Sequence, residues 1–496
     1  MRTADERPVA QGGDGPGARA LLAAHRGGFI EQHALWGEEQ YAAAAQLRRV
    51  IDELGIERVR VAFADQHGLL RSKTLSRDGL AGALRDGIRA PSSLLLKDTS
   101  GRSAFPVFSA DMGLGVGGLT GAGDVVLVPD PVTFRPLPWS PGGAVLLSDL
   151  CFPNGERVPF CTRSILCRVL EDLRARGYGL TVGIELEFHV FRGGEPGALT
   201  TRGTQLLHDD GLDELDGLVA ALHDGLTRLD LPLCSIEREF GPSQLEVTLG
   251  ARDALAAADE AILCRAAIRQ ICRRAGYHAT FMSRPAGAQS ASTGWHLHQS
   301  LRDLNSGHSV FAPPVGDAAS GPGYGILSAD GGSYLAGLLA HAPGAAVFTT
   351  PTVNGYKRYQ PESLAPDRVV WGIDNRGAMV RVIRGAGGSG ARLENRSGEP
   401  AANPYLFVAS QVLCGLDGVD CHLDPGPPTE EPYAVGAPRL PRSLGEALDA
   451  LAGDSLLRAG FSEPVVGWYS ALKRAEFERY LAHVSDWEQR EYFTLL

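Results

Sequence analysis

The sequence predicts an α+β protein with at least two domains. With 496 residues the chain exceeds the length of about 100–200 residues typical of one domain. A helix predicted over residues 38–54 is followed by alternation of Val59, Val61 and Phe63 with other side chains, which is typical of a half-buried strand. Residues 136–143 contain three prolines and two glycines, so we expect a domain boundary there.

The N-terminal part is predicted to be a small α+β domain. Residues 1–37 are rich in glycine, alanine and arginine and are interpreted as a flexible extension. Strands are predicted after the first helix, at residues 58–63, 69–75 and 124–130. We therefore divide the chain into three parts, the extension (1–37), an N-terminal domain (38–145) and a larger C-terminal domain (146–496).

The C-terminal domain is predicted to combine helices, strands and long loops. Thr162 is expected to cap a helix that ends at Gly177, and a strand follows at residues 180–191. Further helices are predicted at residues 212–229, 252–275, 402–418, 443–452 and 465–494. Loops rich in glycine, proline and serine cover residues 284–294, 304–326, 349–368 and 384–390. Loops of this length commonly carry function.

Composition argues against several classes of function. The 47 Lys and Arg residues face 58 Asp and Glu residues, a formal charge of −11, and a general nucleic-acid binder would need a basic face. Mean hydropathy is −0.07, and no apolar run reaches the ~18 residues of a membrane span. The eight cysteines include no CxxC pair, as expected of reduced thiols. We expect a cytoplasmic protein that binds neither nucleic acid nor membrane.

One predicted strand carries two carboxylates on the same face. Glu185 and Glu187 are two residues apart, whereas Ile184, Leu186 and Phe188 form the opposite, apolar face. Two carboxylates this close repel each other unless positive charge holds them. The strand therefore indicates either a cation site or a solvated strand face.

Two further segments carry groups that bind metals or phosphates. Glu239 and Glu246 flank a Gly-Pro-Ser turn, so a hairpin would bring their carboxylates together. His296, His298 and Ser300 fall on one strand face, and histidines at this spacing often contact metals or phosphates. A charged hairpin, and one structural histidine beside one surface histidine, are the alternatives.

Arginines follow in the last third of the chain. Arg392, Glu394 and Arg396 share a strand face. Three more arginines precede them, Arg358, Arg376 and Arg381. Guanidinium groups bind phosphate or carboxylate through paired hydrogen bonds, so these segments indicate anion recognition, with surface ion pairs as the alternative.

The order and spacing of these motifs resemble one family. The chain contains, in this order, G-x-E-x-E-F, E-x-x-P-x-Q-x-E, G-x-H-x-H-x-S-L, N-x-Y-K-R-x-x-P, N-R-x-A-x-x-R and R-x-E-x-R. Over about residues 43–496 it resembles the glutamine synthetase superfamily, type I-like. The resemblance implies an N-terminal β-grasp domain and a catalytic domain whose antiparallel sheet is flanked by helices. It also implies a homo-oligomeric ring, commonly a dodecamer, with active sites between subunits.

The resemblance implies two divalent cations, Mg²⁺ or Mn²⁺, in each site. One ion would be held by Glu187, Glu239 and Glu246. The other would be held by Glu185, His296 and Glu394. Five carboxylates carry a charge of about −5, which two divalent cations nearly balance, and oxygen-rich sites suit these ions.

The resemblance also implies how the substrates are bound. ATP, the co-substrate, would contact His298, Ser300 and Arg392. Arg376 and Arg381 would stabilise the transferred phosphoryl group, as positive charge does in phosphoryl transfer. Arg358 and Arg396 would hold the amino-acid substrate, and Arg358 is also assigned to the catalytic arginines.

Two positions depart from the family pattern where a glutamine synthetase binds ammonium. Leu364 replaces a flap glutamate, and Ala90 aligns with an aspartate that a neighbouring subunit contributes. A small cation would lose its counter-charges, at a cost of several kcal/mol. An apolar amine gains ~0.8 kcal/mol per buried CH₂. Alternatively, Glu362 or Asp367 serves ammonium instead.

A third departure concerns the amino-acid substrate. Ala291 and Ser292 stand where the family has an Asn-Gly pair that contacts glutamate. Arg358 and Arg396, which would clamp the substrate, remain.

The sequence thus predicts an ATP-dependent ligase that activates the γ-carboxylate of glutamate as an acyl phosphate and joins it to a hydrophobic or aromatic primary amine. In pattern it is closest to γ-glutamylamide ligases such as γ-glutamylanilide synthase. An ordinary glutamine synthetase that uses ammonia and a catalytically silent sensor or scaffold are the alternatives.

Overall fold

The structure is a computed structural model of the chain. It describes residues 27–109, 111–193, 206–285, 291–313, 324–360, 363–385, 391–434 and 436–496. These residues include helices and two β-sheets, so the predicted α+β class is confirmed. Within the described ranges, no helix combines the length and the apolar character that crossing a membrane requires.

The chain forms two compact units that interleave in sequence. The first comprises residues up to Ala62, residues 72–90 and residues 126–156. The second comprises residues 63–71, 91–125 and 157–496. The domain boundaries placed after residues 37 and 145 stay predictions.

The first sheet has six strands. These are β1 (Arg58–Ala64), β2 (Leu70–Ser76), β3 (Ile88–Pro91), β4 (Asp124–Pro129), β5 (Arg135–Pro136) and β6 (Gly143–Cys151). The strand order is β2-β1-β6-β4-β3, and β5 pairs with β6. Strand β1 runs parallel to β6, and its buried Val59 and Val61 contribute to the core, as the alternating pattern predicts. Three helices accompany these strands, α1 (Phe29–Gln32), α2 (Glu38–Glu53) and α3 (Arg77–Asp86).

The second sheet has eight strands and carries the predicted site residues of the second unit. Its strands are β7 (Tyr178–Arg192), β8 (Leu233–Arg238), β9 (Gln244–Asp253), β10 (Tyr277–Thr280), β11 (Trp295–Asp303), β12 (Trp371–Ile373), β13 (Val380–Ile383) and β14 (Arg392–Gly398). The order is β12-β13-β14-β11-β7-β9-β8, with β10 paired to β7. The pairings are antiparallel except for β12 with β13. This agrees with the predicted antiparallel sheet.

The helices of the second unit partly differ from the prediction. They are α4 (Thr162–Ala175), α5 (Asp209–Asp213), α6 (Asp216–Arg228), α7 (Ala254–Arg274), α8 (Ala329–Ala340), α9 (Ala342–Thr349), α10 (Pro404–Asp420), α11 (Leu444–Gly453), α12 (Ser455–Phe461), α13 (Glu463–Leu481) and α14 (Asp486–Tyr492). The predicted helices at 212–229 and 465–494 are each divided in two. Thr162 is the first helical residue and Cys161 precedes the helix, so the predicted cap was wrong by one position.

Helices α8 and α9 were not predicted. Nearly every side of both is buried, so their sequences lack the one-sided apolar pattern of a surface helix. Glycines let α8 and α10 approach closely, since a Cβ at Gly337 would lie 2.0 Å from the carbonyl oxygen of Cys414. Small residues therefore pack tightly in this part of the core, and the sequence of these helices shows no one-sided apolar pattern.

Candidate active site

Strand register gathers the predicted metal ligands on one face of the second sheet. Glu187 on β7 lies opposite Glu246 on β9, and Glu185 lies opposite His296 on β11. Residues directly opposed in antiparallel strands project to the same face. The carboxylates of β7 and β9 and the imidazole of His296 on β11 therefore form one surface across three strands.

The remaining strands extend this surface. Glu394 on β14 lies opposite His298 on β11, and Arg381 on β13 lies opposite Glu394. Glu394 is fully buried. The row of groups thus runs from carboxylates on β9 and β7, through histidines on β11, to a carboxylate on β14 and an arginine on β13.

Two groups of three side chains are close enough to share a cation. In the first group, Glu185, Glu246 and His296, one ligand atom from each residue lies within 4.8 Å of the others. The second group, Glu185, His298 and Glu394, meets the same distance. The structure therefore brings His298, predicted to contact the nucleotide, into contact with a predicted metal ligand.

The two histidines hold Glu185 as a carboxylate. His296 Nδ1 donates to one carboxylate oxygen at 3.0 Å, and His298 Nε2 donates to the other at 2.8 Å. Burial opposes ionisation of Glu185, but these hydrogen bonds and the charge of the histidines hold its pKa far below the usual range. Glu185 is thus charged at neutral pH.

Glu246 and Glu239 behave in the opposite way. Burial, followed by repulsion from Glu187 and Glu185, raises the pKa of Glu246 to about 10. Burial and the charge of Glu187 raise the pKa of Glu239 to about 7. Simultaneous ionisation of these carboxylates is therefore unfavourable without added positive charge, and carboxylate and imidazole donors of this kind fit Mg²⁺ or Mn²⁺.

The predicted hairpin between Glu239 and Glu246 is present. Strands β8 and β9 pair in antiparallel fashion, and the Glu239 N–H donates to the carbonyl oxygen of Gln244 at 3.1 Å. The Glu239 carboxylate accepts a hydrogen bond from the Phe240 N–H at 3.2 Å. The turn thus fixes this carboxylate at the edge of the cluster.

Two residues that sequence reasoning left without a role position Glu187. Gln244 Nε2 donates to Glu187 Oε2 at 2.6 Å, and the Gly294 N–H donates to the same oxygen at 2.9 Å. A Cβ at Gly294 would lie 3.0 Å from Glu187 Oε1, 3.1 Å from His296 Nε2 and 3.2 Å from an Arg358 nitrogen. The absence of a side chain at Gly294 therefore lets three functional groups converge.

A third residue that was missed, Glu237, adds another carboxylate. It lies opposite Glu246 across the β8–β9 pair and contributes to the raised pKa values of Glu239 and Glu246. Its position two residues before Glu239 on a strand was the available signal.

The arginines differ in what they contact. Arg358 is buried and donates through Nη1 to the Ser397 carbonyl oxygen at 3.1 Å, but its Nε has no hydrogen-bond partner among the described residues. Arg396 donates to Glu394 and, through Nε, to the Arg376 carbonyl oxygen at 3.0 Å. The buried, incompletely paired guanidinium of Arg358 fits an anionic substrate group.

Arg376, Arg381 and Arg392 are less enclosed than Arg358. Arg381 pairs with Asp374 and, at 3.1 Å, with Glu394 Oε2. The side chain of Arg376 is exposed. Arg392 is also exposed, and its Nε lies 3.4 Å from His298 Nδ1.

Ser300 lies on β11 beyond the two histidines. Its hydroxyl is 3.4 Å from the Ala391 carbonyl oxygen. The histidine side of the cluster therefore leads to the residues predicted to contact ATP.

Three of the residues predicted to decide between ammonium and an apolar amine lie close together in sequence. Leu364 adopts a left-handed backbone with φ of 59° and is 41% exposed. Asp367, the alternative ammonium ligand, is buried and lies 3.2 Å from Arg368 Nε, whereas Glu362 lies outside the described residues. Asp367 is thus already paired with a cation.

The other residues predicted to differ from the family pattern lie in other elements. Ala90 is buried in β3, in the first unit. Ser292 follows Ala291 just before β11, and its carbonyl oxygen accepts from Gln244 Nε2 at 3.2 Å. Gln244 therefore links this segment to Glu187.

Comparison with known proteins identifies the family. Residues 159–492 match the sequence profile "Glutamine synthetase, catalytic domain". The chain belongs to the glutamine synthetase family. The gamma-glutamylanilide synthase of Acinetobacter sp is 41% identical over 94% of this chain and 99% of its own length. The glutamine synthetase of Methanosarcina mazei is 30% identical over 90% of this chain and 96% of its own length.

A solved structure supports the same assignment. The structure described as a GmaS/ADP complex matches with a TM-score of 0.78 and 27% identity, covering 90% of this chain and 99% of that one. The predicted resemblance to the glutamine synthetase family, and within it to γ-glutamylamide ligases, is confirmed. The roles of individual site residues stay predictions.

Proposed function

We propose that this glutamine synthetase family member is an ATP-dependent ligase that joins glutamate to a primary amine with an apolar substituent. The products would be a γ-glutamylamide, ADP and phosphate. Family membership supports the ligase class, and the relative with 41% identity over nearly the whole chain is named a gamma-glutamylanilide synthase. The glutamine synthetase of Methanosarcina mazei is less similar, at 30%.

One observation carries the choice of amine. Two groups of carboxylate and histidine side chains are close enough to share a cation, yet Leu364 stands where the family pattern has a flap glutamate. An ammonium ion would lose a counter-charge there, whereas an apolar amine would gain by burial. An arylamine is favoured further because it is neutral at pH 7 and needs no deprotonation before it attacks.

We assign two divalent cations, Mg²⁺ or Mn²⁺, to the cluster. The proposed ligands are Glu185, Glu187, Glu239, Glu246, His296 and Glu394. Burial, followed by repulsion from the neighbouring carboxylates, raises the pKa of Glu246. This supports the assignment, because all of these carboxylates can be ionised together only if added positive charge is bound among them. Bound cations would supply Lewis-acid stabilisation of phosphate oxygens.

The residues of the chain bind and orient the substrates in this proposal. The buried guanidinium of Arg358 holds a carboxylate of glutamate, together with Arg396. The γ-carboxylate oxygen attacks the terminal phosphorus of ATP, the bond to the bridging oxygen breaks, and ADP leaves. Arg376 and Arg381 stabilise the charge on the transferred group. The amine nitrogen then attacks the acyl carbon, phosphate leaves with the bonding electrons, and the nitrogen loses a proton.

We further propose a cytoplasmic homo-oligomer, a dodecamer, in which Ala90 of one subunit faces the amine site of a neighbour. Such an enzyme needs the ATP and glutamate pools of the cytoplasm. Light scattering coupled to size-exclusion chromatography tests the assembly, since a stable monomer would remove Ala90 from the site.

The experiment that tests the function is ATP-dependent phosphate release by the full-length protein. The assay contains glutamate, Mg²⁺ or Mn²⁺ and one amine from a panel of ammonium, alkylamines and aniline. We expect release that requires both glutamate and an apolar amine. Equal rates with ammonium would indicate an ordinary glutamine synthetase. Binding of ATP without turnover of any amine would indicate a silent relative.

A further inference from the structure

Large apolar side chains are exposed immediately beside the carboxylate cluster. Leu206 is 41% exposed, Leu207 is 62% exposed and Phe240 is 40% exposed. A hydrogen bond between the Leu207 N–H and the Arg238 carbonyl oxygen, 3.1 Å long, joins the two leucines to the end of β8. Phe240 follows two residues later. Single exposed apolar residues are ordinary, but these three lie on two segments that this hydrogen bond joins, and we call them the apolar patch.

The turn that carries Phe240 also carries Glu239. The Phe240 N–H donates to the Glu239 carboxylate at 3.2 Å, so the aromatic residue and the carboxylate have a fixed relation. The Glu239 N–H donates to the Gln244 carbonyl oxygen at 3.1 Å, and Gln244 Nε2 donates to Glu187 Oε2 at 2.6 Å. The apolar patch therefore borders the proposed reaction centre.

Leu207 holds an unfavourable backbone conformation. Its φ is 56°, in the left-handed region that glycine or asparagine adopts far more readily than leucine. Such strain persists where the surrounding structure imposes it, and it concentrates at functional sites. Leu364, in the flap position, has the same property with φ of 59° and an exposed side chain.

The backbone at Leu207 is held by its neighbours. Arg238, whose carbonyl oxygen binds Leu207, is itself buried and donates through Nη1 to the Gly211 carbonyl oxygen at 2.8 Å. The segment is thus tied to the sheet at two points. The backbone that carries the exposed side chains of Leu206 and Leu207 is therefore fixed relative to β8.

We propose that Leu206, Leu207 and Phe240 form an apolar wall that binds the non-polar substituent of the amine substrate. This inference rests on the proposed function and extends it, because it assigns specificity to residues outside the flap. The substituent would be an alkyl chain or an aromatic ring, since the three residues offer neither a hydrogen bond nor a charge. A polyamine, which carries further charges, would gain nothing from this wall.

The test is the dependence of kcat/KM on the length of the amine. For the wild-type protein we expect kcat/KM to rise about fourfold per methylene from methylamine to n-butylamine, the value expected for burial of one CH₂. Leu207→Gly and Phe240→Ser are expected to flatten this series to less than twofold per methylene. Activity with methylamine should change far less.

Leu207→Gly is chosen because glycine tolerates the observed backbone, so the variant should fold with an unchanged or higher Tm. Leu304→Ser, which removes a similarly exposed leucine elsewhere, is the matched control and should keep the wild-type slope. A wild-type slope in both Leu207→Gly and Phe240→Ser would overturn the wall while leaving the ligase function intact. Failure of the wild-type protein to use any amine would instead refute the function, and the wall with it.

Discussion

Glu187 and Glu246 lie directly opposite each other on neighbouring strands, and burial together with this opposition raises the pKa of Glu246 to about 10. In the metal-free protein, ionisation of Glu246 beside Glu187 is therefore unfavourable. Divalent cations bound among these carboxylates would stabilise their ionised form.

Glu246→Gln is expected to raise the Tm of the metal-free protein at pH 8 by about 1–3 °C. A carboxyl group whose pKa is higher in the folded than in the unfolded state destabilises the fold progressively as pH rises above the unfolded value. Glutamine has the same shape and carries no such cost. The variant should also lose the thermal stabilisation that we expect Mn²⁺ to give to the wild-type protein.

Thermal unfolding with EDTA or with MnCl₂ measures both effects. Glu171→Gln, at an exposed position on α4, is the control and should respond to Mn²⁺ like the wild-type protein. Wild-type stabilisation of Glu246→Gln by Mn²⁺ would show that Glu246 is not a ligand.

Arg358→Lys is expected to raise the KM for glutamate by about 10- to 100-fold. Lysine keeps the positive charge but loses the Nε–H that has no partner among the described residues, and it cannot form paired hydrogen bonds with a carboxylate. Initial rates at varied glutamate and saturating ATP measure the effect. Arg302→Lys, at an exposed position of β11, is the control. A normal KM for glutamate in Arg358→Lys would exclude substrate binding by Arg358.

Asp454→Asn is expected to lower the free energy of unfolding by about 1–2 kcal/mol at pH 6 and by clearly less at pH 8.5. His341 lies between Asp454, at 2.8 Å, and Asp417, at 3.0 Å, and the hydrogen bond to Asp454 is the main cause of its raised pKa. A raised histidine pKa stabilises the folded state fully below about pH 6.5 and ceases to do so as pH rises through the folded pKa.

Asparagine can still accept the hydrogen bond from the Leu457 N–H that caps α12, so the substitution isolates the interaction with His341. Urea unfolding at the two pH values provides the measurement. Asp449→Asn removes an exposed ion pair with Arg474 and serves as control. An equal loss at both pH values would mean that protonated His341 does not contribute.

Leu364→Glu is expected to shift the ratio of kcat/KM for ammonium to that for an apolar amine by at least about tenfold in favour of ammonium. The substitution restores a carboxylate at the flap position. Leu364→Gln, which matches its size without the charge, should reduce use of the apolar amine without improving use of ammonium. Identical ratios in the wild-type protein and Leu364→Glu would mean that residue 364 does not face the amine.

The alternation of Glu185 and Glu187 with apolar residues was enough to predict both the strand and its functional face. Register could not be predicted, because it depends on which strands are neighbours. Only pairing shows that Glu246 opposes Glu187, that Glu237 joins the same row and that His298 reaches Glu185.

The features that the sequence did not predict each have a physical cause. Helices α8 and α9 are buried on almost all sides, so no polar face marked their period. The role of Gln244 depends on a contact with Glu187, 57 residues away in sequence. Leu207 and Phe240 are ordinary residue types, and only their exposure and the backbone of Leu207 distinguish them.

Direct competition between nitrogen nucleophiles tests the central claim most directly. The full-length protein is incubated with ATP, glutamate, Mg²⁺ and equimolar ammonium, aniline and n-butylamine, and the products are quantified by mass spectrometry. The account predicts that γ-glutamylanilide or γ-glutamylbutylamide exceeds glutamine by at least about tenfold. Glutamine as the main product would contradict it.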